Sequence, residues 1–172
     1  MAGTPSRGHN CDTCLTYAAG TLYCYYCKWV SPVDKLQRIT ITDDPLTIGT
    51  NEECSLDGYT TYIWAPAIIY RGENDWVLWF VDSNHNLSRY ISTDGVTWTN
   101  RTIISITTNG TRTQNTITPW HFSVEKMDDG RYLFICCCYP VGGNSTSTDL
   151  YYAVAKDFDS HLDFHSTPLI TE

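Results

Sequence analysis

The chain alternates between short runs of apolar, aromatic and β-branched residues and short polar turns. Six-residue runs such as Leu22–Cys27, Trp76–Val81 and Tyr132–Cys137 consist mainly of residue types that favour strands. No apolar stripe with a period of about 3.6 residues is long enough to form a helix. The pattern therefore predicts an all-β protein.

The predicted strands recur as a repeat. A strand, a turn and a second strand occur three times, as Asp12–Tyr17 with Leu22–Cys27, Ala65–Tyr70 with Trp76–Val81, and His121–Lys126 with Tyr132–Cys137. A third strand follows in each unit, at Leu36–Thr42, Leu87–Thr93 and Leu150–Ala155. The spacing from Tyr17 to Tyr70 is about 53 residues, and from Tyr70 to Lys126 about 56, which lies within the range of repeat architectures.

The end of each unit resembles the end of the others. The third strand of the second unit runs into the turn Asp94–Gly95, and we predict a short fourth strand at Thr102–Ile106. Four antiparallel strands in about 55 residues are typical of one blade of a β-propeller. The sequence therefore predicts a single domain of about three four-stranded antiparallel blades, at approximately 9–62, 63–118 and 119–172.

Composition and charge narrow the possible partners. Hydrophobic residues make up 42% of the chain, which is enough to form a core. Eleven Lys and Arg against nineteen Asp and Glu give a net charge of −8, so we expect neither nucleic acid nor an anionic membrane as a partner. The sequence shows no apolar segment long enough to insert into a membrane and no apolar segment of a signal peptide near Met1.

Four of the eight cysteines form two CxxC pairs, Cys11 with Cys14 and Cys24 with Cys27. This spacing is found in tetrahedral zinc sites. However, Cys24 and Cys27 fall on a predicted strand, where positions i and i+3 point to opposite faces. We therefore expect buried thiols, no metal and no cofactor, with a zinc site at the two pairs as the alternative.

One unit resembles a known family. Trp64–Tyr70 followed by Trp76–Val81 resembles the innermost hairpin of five-bladed β-propeller glycosidases, the arabinanase, xylosidase and invertase-like enzymes. Arg89–Trp98 is similar to the third strand and following turn of that family. Similar domains occur in tail proteins of bacteriophages. The resemblance implies an incomplete propeller, nominally five-bladed, with its site on the propeller axis.

The resemblance also implies three carboxylates at that site: a general base, a second Asp and a Glu acid. Asp12 matches the position of the base, whereas Ala67 occupies the position of the second Asp. No Glu is present near Pro119–His121, where the acid is expected. Because hydrolysis of a glycosidic bond requires a proton donor, the resemblance favours a non-catalytic domain, with Asp12 catalytic only if activity is retained.

Asp12, Trp64, Trp120 and His121 are the candidate sugar-binding residues. Each tryptophan begins an inner strand, where its ring either stacks on a sugar or packs between blades. His121 is either an axial ligand-binding group or a structural histidine. We expect a glycan as one partner, and other protein chains or blades that cover the open ends of the incomplete ring as a second.

The sequence thus predicts carbohydrate or cell-surface recognition, or a structural role, in a larger assembly. The resemblance implies a bacteriophage tail or another virion, or an extracellular location after assembly. The alternative is a glycoside hydrolase, or a fragment of one, that acts on a plant-type or surface polysaccharide.

Overall fold

A computed structural model of the chain describes residues 10–30, 32–43, 46–108, 111–112, 117–140, 142–143, 146–156 and 161–171. All helical or strand structure in these ranges is β-strand, which confirms the all-β prediction. The strands are β1 (Asn10–Ala18), β2 (Thr21–Val30), β3 (Val33–Asp43), β4 (Leu46–Ile48), β5 (Glu52–Glu53), β6 (Ser55–Leu56), β7 (Ile63–Gly72), β8 (Asp75–Asp82), β9 (Leu87–Ser92), β10 (Thr97–Ile103), β11 (Ser105–Thr108), β12 (Thr111–Arg112), β13 (Ile117–Lys126), β14 (Tyr132–Pro140), β15 (Asp149–Ala155) and β16 (His161–Phe164). Within these ranges no helix is long and apolar enough to cross a membrane.

The strands form three main sheets, which we call the first, second and third blades. The first has the order β1-β2-β3-β4 with β5 also on β3, the second β6-β10-β9-β8-β7, and the third β13-β14-β15. A small sheet, β12-β11-β16, lies at the outer edge of the third blade, where His165 N donates to Tyr152 O at 2.8 Å. The innermost strands β1 and β13 both contact β7. These three blades form part of a propeller.

The second blade is buried on both of its faces. Leu78 and Phe80 of β8 pack against the first blade, whereas Val77, Trp79 and Val81 pack against the third. We call the face of a blade that is turned toward the preceding blade its leading face, and the opposite one its trailing face. Because a sheet covered on both sides has apolar residues at successive positions, residues 76–81 of β8 form a continuous apolar run.

The predicted fourth strand at Thr102–Ile106 is wrong. The fourth strand of the second blade is β10, which ends at Ile103, and Ile104 N then donates to Leu87 O at 2.8 Å. Ile104 is buried in the core, and beyond it β11 pairs in parallel with β16 in the small sheet at the outer edge of the third blade. In the same way β6 pairs in parallel with β10. Each connection therefore supplies an outer strand to the next blade, and the division into 9–62, 63–118 and 119–172 stays a prediction.

The turn at Asp94–Gly95 joins the second blade to the first. Asp94 Oδ1 accepts hydrogen bonds from Val96 N at 2.8 Å, Thr97 N at 2.7 Å and the Ser92 hydroxyl at 2.8 Å. From the first blade, Tyr25 donates to Gly95 O and Arg38 donates to Asp94 O. Partial burial opposes ionisation of Asp94, but these backbone hydrogen bonds outweigh it and lower the pKa to about 2.

We predict that Asp94→Ala lowers the free energy of unfolding by on the order of 1–2 kcal/mol at pH 7, because two backbone N–H groups lose a charged acceptor. Since the pKa of Asp94 is about 2 when folded, against an ordinary 3.8, its contribution is complete above pH 4 and is lost as the pH falls toward 2. Urea unfolding from pH 7 to pH 3 should therefore show the difference from wild type narrowing below pH 4. The matched control is Asp128→Ala in the exposed β13–β14 turn, and an equal loss in that variant would contradict the prediction.

Candidate functional site

The three innermost strands enclose a cleft along the line that they share. The cleft has a volume of about 620 Å³ and is lined by residues 12–17 of β1, 65–70 of β7 and 121–126 of β13. Asp12 and His121 lie at one end, where the innermost strands begin. The predicted axial site is therefore the open space between three strands of three different blades.

Each innermost strand is bulged at its beginning. One strand residue has no counterpart on the partner strand between Cys11 and Cys14, between Trp64 and Ala67, and between Pro119 and His121. Asp12 (φ 51°) and Ala65 (φ 48°) lie inside two of these bulges and adopt the left-handed conformation. This conformation costs a residue with a Cβ roughly 1–2 kcal/mol. Bulges of this kind re-aim side chains near functional sites.

The Asp12 carboxylate joins all three innermost strands. Its Oδ2 accepts a hydrogen bond from Ala65 N of β7 at 3.1 Å. Its Oδ1 lies 3.9 Å from Nε2 of His121 in β13. Both side chains remain partly exposed to the cleft. The structure therefore places a carboxylate and an imidazole side by side, with capacity on each to bind a ligand.

Trp64 and Trp120 lie beside this pair in a cluster of aromatic rings. Their ring centroids are 5.2 Å apart, and that of Trp120 lies 5.3 Å from His121. The rings pack across the second and third blades, which is one of the two alternatives, and they remain half-buried, so that stacking on a sugar stays a prediction. All four residues predicted from the sequence are brought together, and their role in sugar binding stays a prediction.

Three members of this cluster were not predicted from the sequence. His85 lies 5.1 Å from Trp64 between ring centroids, Tyr62 stacks on Trp64 at 6.0 Å, and the Tyr139 hydroxyl lies 3.3 Å from Nδ1 of His85. We call Tyr62, Trp64, His85, Trp120 and Tyr139 the rim cluster. Because β8 runs antiparallel to β7, the turn after β8 lies at the edge where β7 begins, which is the signal that could have identified His85.

Two positions lack the carboxylate that the resemblance implies, and their surroundings in the structure differ. Ala67 is buried, packed in the core between the second and third blades. Glu125 lines the same cleft as Asp12 and is exposed. It lies four residues beyond His121 on β13, which corresponds to about 13 Å along an extended strand. The cleft therefore has one carboxylate at the Asp12 end and a second one four residues further along β13 than His121.

The two CxxC pairs do not converge. Cys11 lies opposite Cys27 in the sheet, whereas Cys24 lies opposite Leu15 on the other face. Cys14 accepts a hydrogen bond from Ile68 N at 3.3 Å, and Cys27 donates to Ile63 O at 3.2 Å. Among the residues that the structure describes, no group of three or more His, Cys, Asp or Glu is arranged to hold a metal ion.

The environment of these thiols favours their protonated form. Burial, together with the nearby carboxylates of Asp12 and Asp34, raises the pKa of Cys11 to about 11. Burial is also the main cause that raises the pKa of Cys27 well above its ordinary value and the pKa of Cys54 to about 12.

We predict that Cys11 and Cys54 react with iodoacetamide at pH 8 at least about 100-fold more slowly than a free cysteine, because little thiolate is present. The rate at Cys11 should increase as the pH approaches 11, which is measured by mass spectrometry of digested protein. Unfolding in urea is the control, and all eight cysteines should then react. Rapid reaction of the folded protein at pH 8, or about one zinc per chain by elemental analysis, would contradict this account.

Comparison with known proteins supports the fold. No sequence-family model and no curated protein sequence matches the chain. Three solved structures illustrate the likeness. An N-acetylgalactosamine deacetylase from F. plautii in complex with blood group B trisaccharide matches 98% of this chain and 55% of its own, with 16% identity and a TM-score of 0.68. An alpha-L-arabinofuranosidase from Fusarium graminearum with an iminosugar inhibitor matches 87% of this chain and 45% of its own, with 18% identity and a TM-score of 0.61.

The third is an alpha-L-arabinanase from Penicillium chrysogenum complexed with arabinobiose, which matches 82% of this chain and 42% of its own, with 18% identity and a TM-score of 0.56. The chain therefore spans about half the length of these structures. At such low identity the likeness concerns the fold. The chain has the fold of about half of a glycosidase-like β-propeller.

Proposed function

We propose that the Asp12 end of the cleft, together with the rim cluster, binds a carbohydrate without hydrolysing it. The observation that carries this proposal is the contact between three blades at one point. Asp12 and His121 lie 3.9 Å apart there, beside the half-buried rings of Trp64 and Trp120. We propose this function for the site alone.

The chemistry of the site suits a sugar. The apolar faces of pyranose and furanose rings pack against aromatic rings, which Trp64 and Trp120 supply. Sugar hydroxyls both donate and accept hydrogen bonds, and Asp12 accepts whereas His121 can do either. A single site of this kind supports a dissociation constant on the order of 1 mM. Several copies on one particle would increase the apparent affinity through avidity.

The neighbours in fold support the ligand class. The deacetylase structure contains blood group B trisaccharide, and the arabinanase structure contains arabinobiose. These ligands differ in their sugars, so the fold supports carbohydrate binding in general. We propose the same broad class for this chain, either as a recognition domain or as a structural part of a larger assembly.

Glycoside hydrolysis is the second candidate, because the sequence resemblance matches Asp12 to the position of the base and His121 lies 3.9 Å from it. An inverting hydrolase places its two carboxyl groups about 6.5–9.5 Å apart, and a retaining one about 5–5.5 Å apart. Glu125 lies four residues beyond His121, about 13 Å along β13, so it is not part of the close pair that Asp12 and His121 form. His121 is then the acid that hydrolysis requires, which is an unusual role for histidine in this chemistry.

Membership of a bacteriophage tail or another virion stays a prediction, drawn from the resemblance in sequence. Mass spectrometry of purified particles is the measurement that checks it. Absence of the chain from such particles would leave the sugar site itself unaffected.

We predict that the protein binds at least one member of a panel of arabino-, xylo-, fructo- and sialo-oligosaccharides and releases no reducing sugar from any of them. Trp64→Ala and Trp120→Ala should each weaken binding by about tenfold or more, because each removes a stacking surface. Titration calorimetry or ligand-observed NMR measures the affinity. Ile103→Ala is the control, since Ile103 is an exposed residue on β10, outside the cleft and the rim cluster.

The outcomes separate the two candidates. Sugar release that disappears in Asp12→Asn would establish the hydrolase and overturn the binding function. No binding to any oligosaccharide at concentrations up to tens of millimolar would also overturn it and leave a structural role. Binding that survives both tryptophan substitutions would place the sugar elsewhere on the molecule.

A further inference from the structure

Half of the leading face of the first blade has the composition of a buried face. Two cross-strand rows without a charged residue cover that half, Leu15–Cys24–Ile39 and Tyr17–Leu22–Ile41–Ile48. The other half carries the rows Tyr26–Gln37–Glu53 and Lys28–Lys35. Leu15 is 64% exposed, Tyr17 70% and Ile48 64%. No strand among the described residues packs on this face.

The repeat shows what happens to the same rows in the other blades. The row that contains Leu15 corresponds to Ile68–Leu78–Tyr90 in the second blade and Phe122–Cys136–Tyr151 in the third. Ile68 is 3% exposed and packs on the first blade, and Phe122 is 7% exposed and packs on the second. The leading face is therefore buried by a trailing face wherever a preceding blade exists.

Among the described residues, the trailing face of the third blade is a second apolar surface on which no blade packs, although the His165 ring stacks on Tyr152 with 5.1 Å between centroids. Its rows are His121–Cys137–Leu150, Ser123–Ile135–Tyr152 and Glu125–Leu133–Val154. They correspond to rows such as Ala67–Trp79–Arg89 in the second blade, whose Trp79 is buried against the third. The face is mainly apolar, with Val154 being 41% exposed and Glu125 its one carboxylate.

We propose that a second copy of this chain covers both faces, so that two chains close one ring around a shared axis. The trailing face of each copy packs on the leading face of the other, as the blades do within one chain. Six blades lie within the range of four to eight that is typical of propellers. Head-to-tail contacts between identical chains form a closed ring if the rotation closes, and here a rotation of about 60° per blade is required.

Three observations favour a second copy as the occupant. Within this chain, each covered leading face is covered by the trailing face of the preceding blade. A second copy offers a trailing face on which no described blade packs. The chain spans about half the length of the matched structures, so two copies supply the length of one. The net charge of −8 repels a second copy, but the two faces carry little of that charge. The cleft is then closed by the innermost strands of both copies, and each Asp12 faces its counterpart around the axis.

The test is the mass of the 172-residue chain in solution, measured by light scattering and sedimentation over a range of concentrations. We expect a species of about 39 kDa, which is twice the chain mass of 19.5 kDa. Leu15→Lys alters the leading face and Val154→Glu alters the trailing face. Each alone should weaken dimerisation by about tenfold or more, because a charge must be buried. Ile103→Lys, at a residue that is 52% exposed on β10, should leave the mass unchanged.

Mixing the two variants distinguishes the ring from other dimers. The trailing face of Leu15→Lys and the leading face of Val154→Glu are both unaltered, so the mixture should recover a 39 kDa species more readily than either variant alone. Circular dichroism checks that both variants keep the fold of the wild type.

Three results would overturn the proposal. The first is a monodisperse 19.5 kDa monomer at all concentrations, which would also contradict the expectation that the open faces require a partner. The second is a dimer that Leu15→Lys disrupts but Val154→Glu does not, which would mean that two leading faces pair with each other. The third is open-ended growth into filaments, since the rotation then does not close. None of these depends on sugar binding, so the proposed function is tested separately.

Discussion

Each blade of this protein must bury two faces, and the other features of the fold follow from that constraint. An antiparallel sheet with one face in water alternates apolar and polar residues, whereas a sheet between two others is apolar throughout. The second blade meets the requirement with β8, whose residues pack alternately on the first and third blades. The first and third blades meet it on one side only. Their outer faces keep apolar rows of the repeat on which no described strand packs.

The same constraint determines where chemistry is located. Because side chains from neighbouring blades fill the space between the sheets, polar groups collect where the blades meet at the axis and at the rim. Asp12 is held there by a backbone N–H group of the next blade, and His121 comes from the blade beyond. The contact between the two side chains therefore depends on the correct stacking of all three blades. A shift of one blade relative to another would separate them.

Much of the fold could be predicted from the sequence, because the repeat has a strong signal. Three hairpins of apolar and aromatic residues at a spacing of about 53 to 56 residues specify the blades and place the innermost strands side by side. The candidate residues Asp12, Trp64, Trp120 and His121 were identified from their equivalent positions in that repeat. Features that are not part of the repeat could not be predicted from the sequence. β6 is a two-residue strand with no periodicity to detect, and Ala65 adopts a left-handed conformation that alanine seldom takes. His85, Tyr62 and Tyr139 approach Trp64 and Trp120 only in the folded chain.

Each connection between blades contributes a short outer strand to the next blade. These strands affect the order in which the chain can fold during synthesis. Ser55 and Leu56 leave the ribosome about 40 residues before their partners Thr97 and Trp98. Ser105–Thr108 likewise precedes His161–Phe164 by more than 50 residues. The outer edge of the second and third blades therefore remains unfinished until the last strand of the same blade has emerged. The chain can complete its blades one after another, and a ribosome that pauses within a blade holds a nascent protein whose first short strand still lacks its parallel partner.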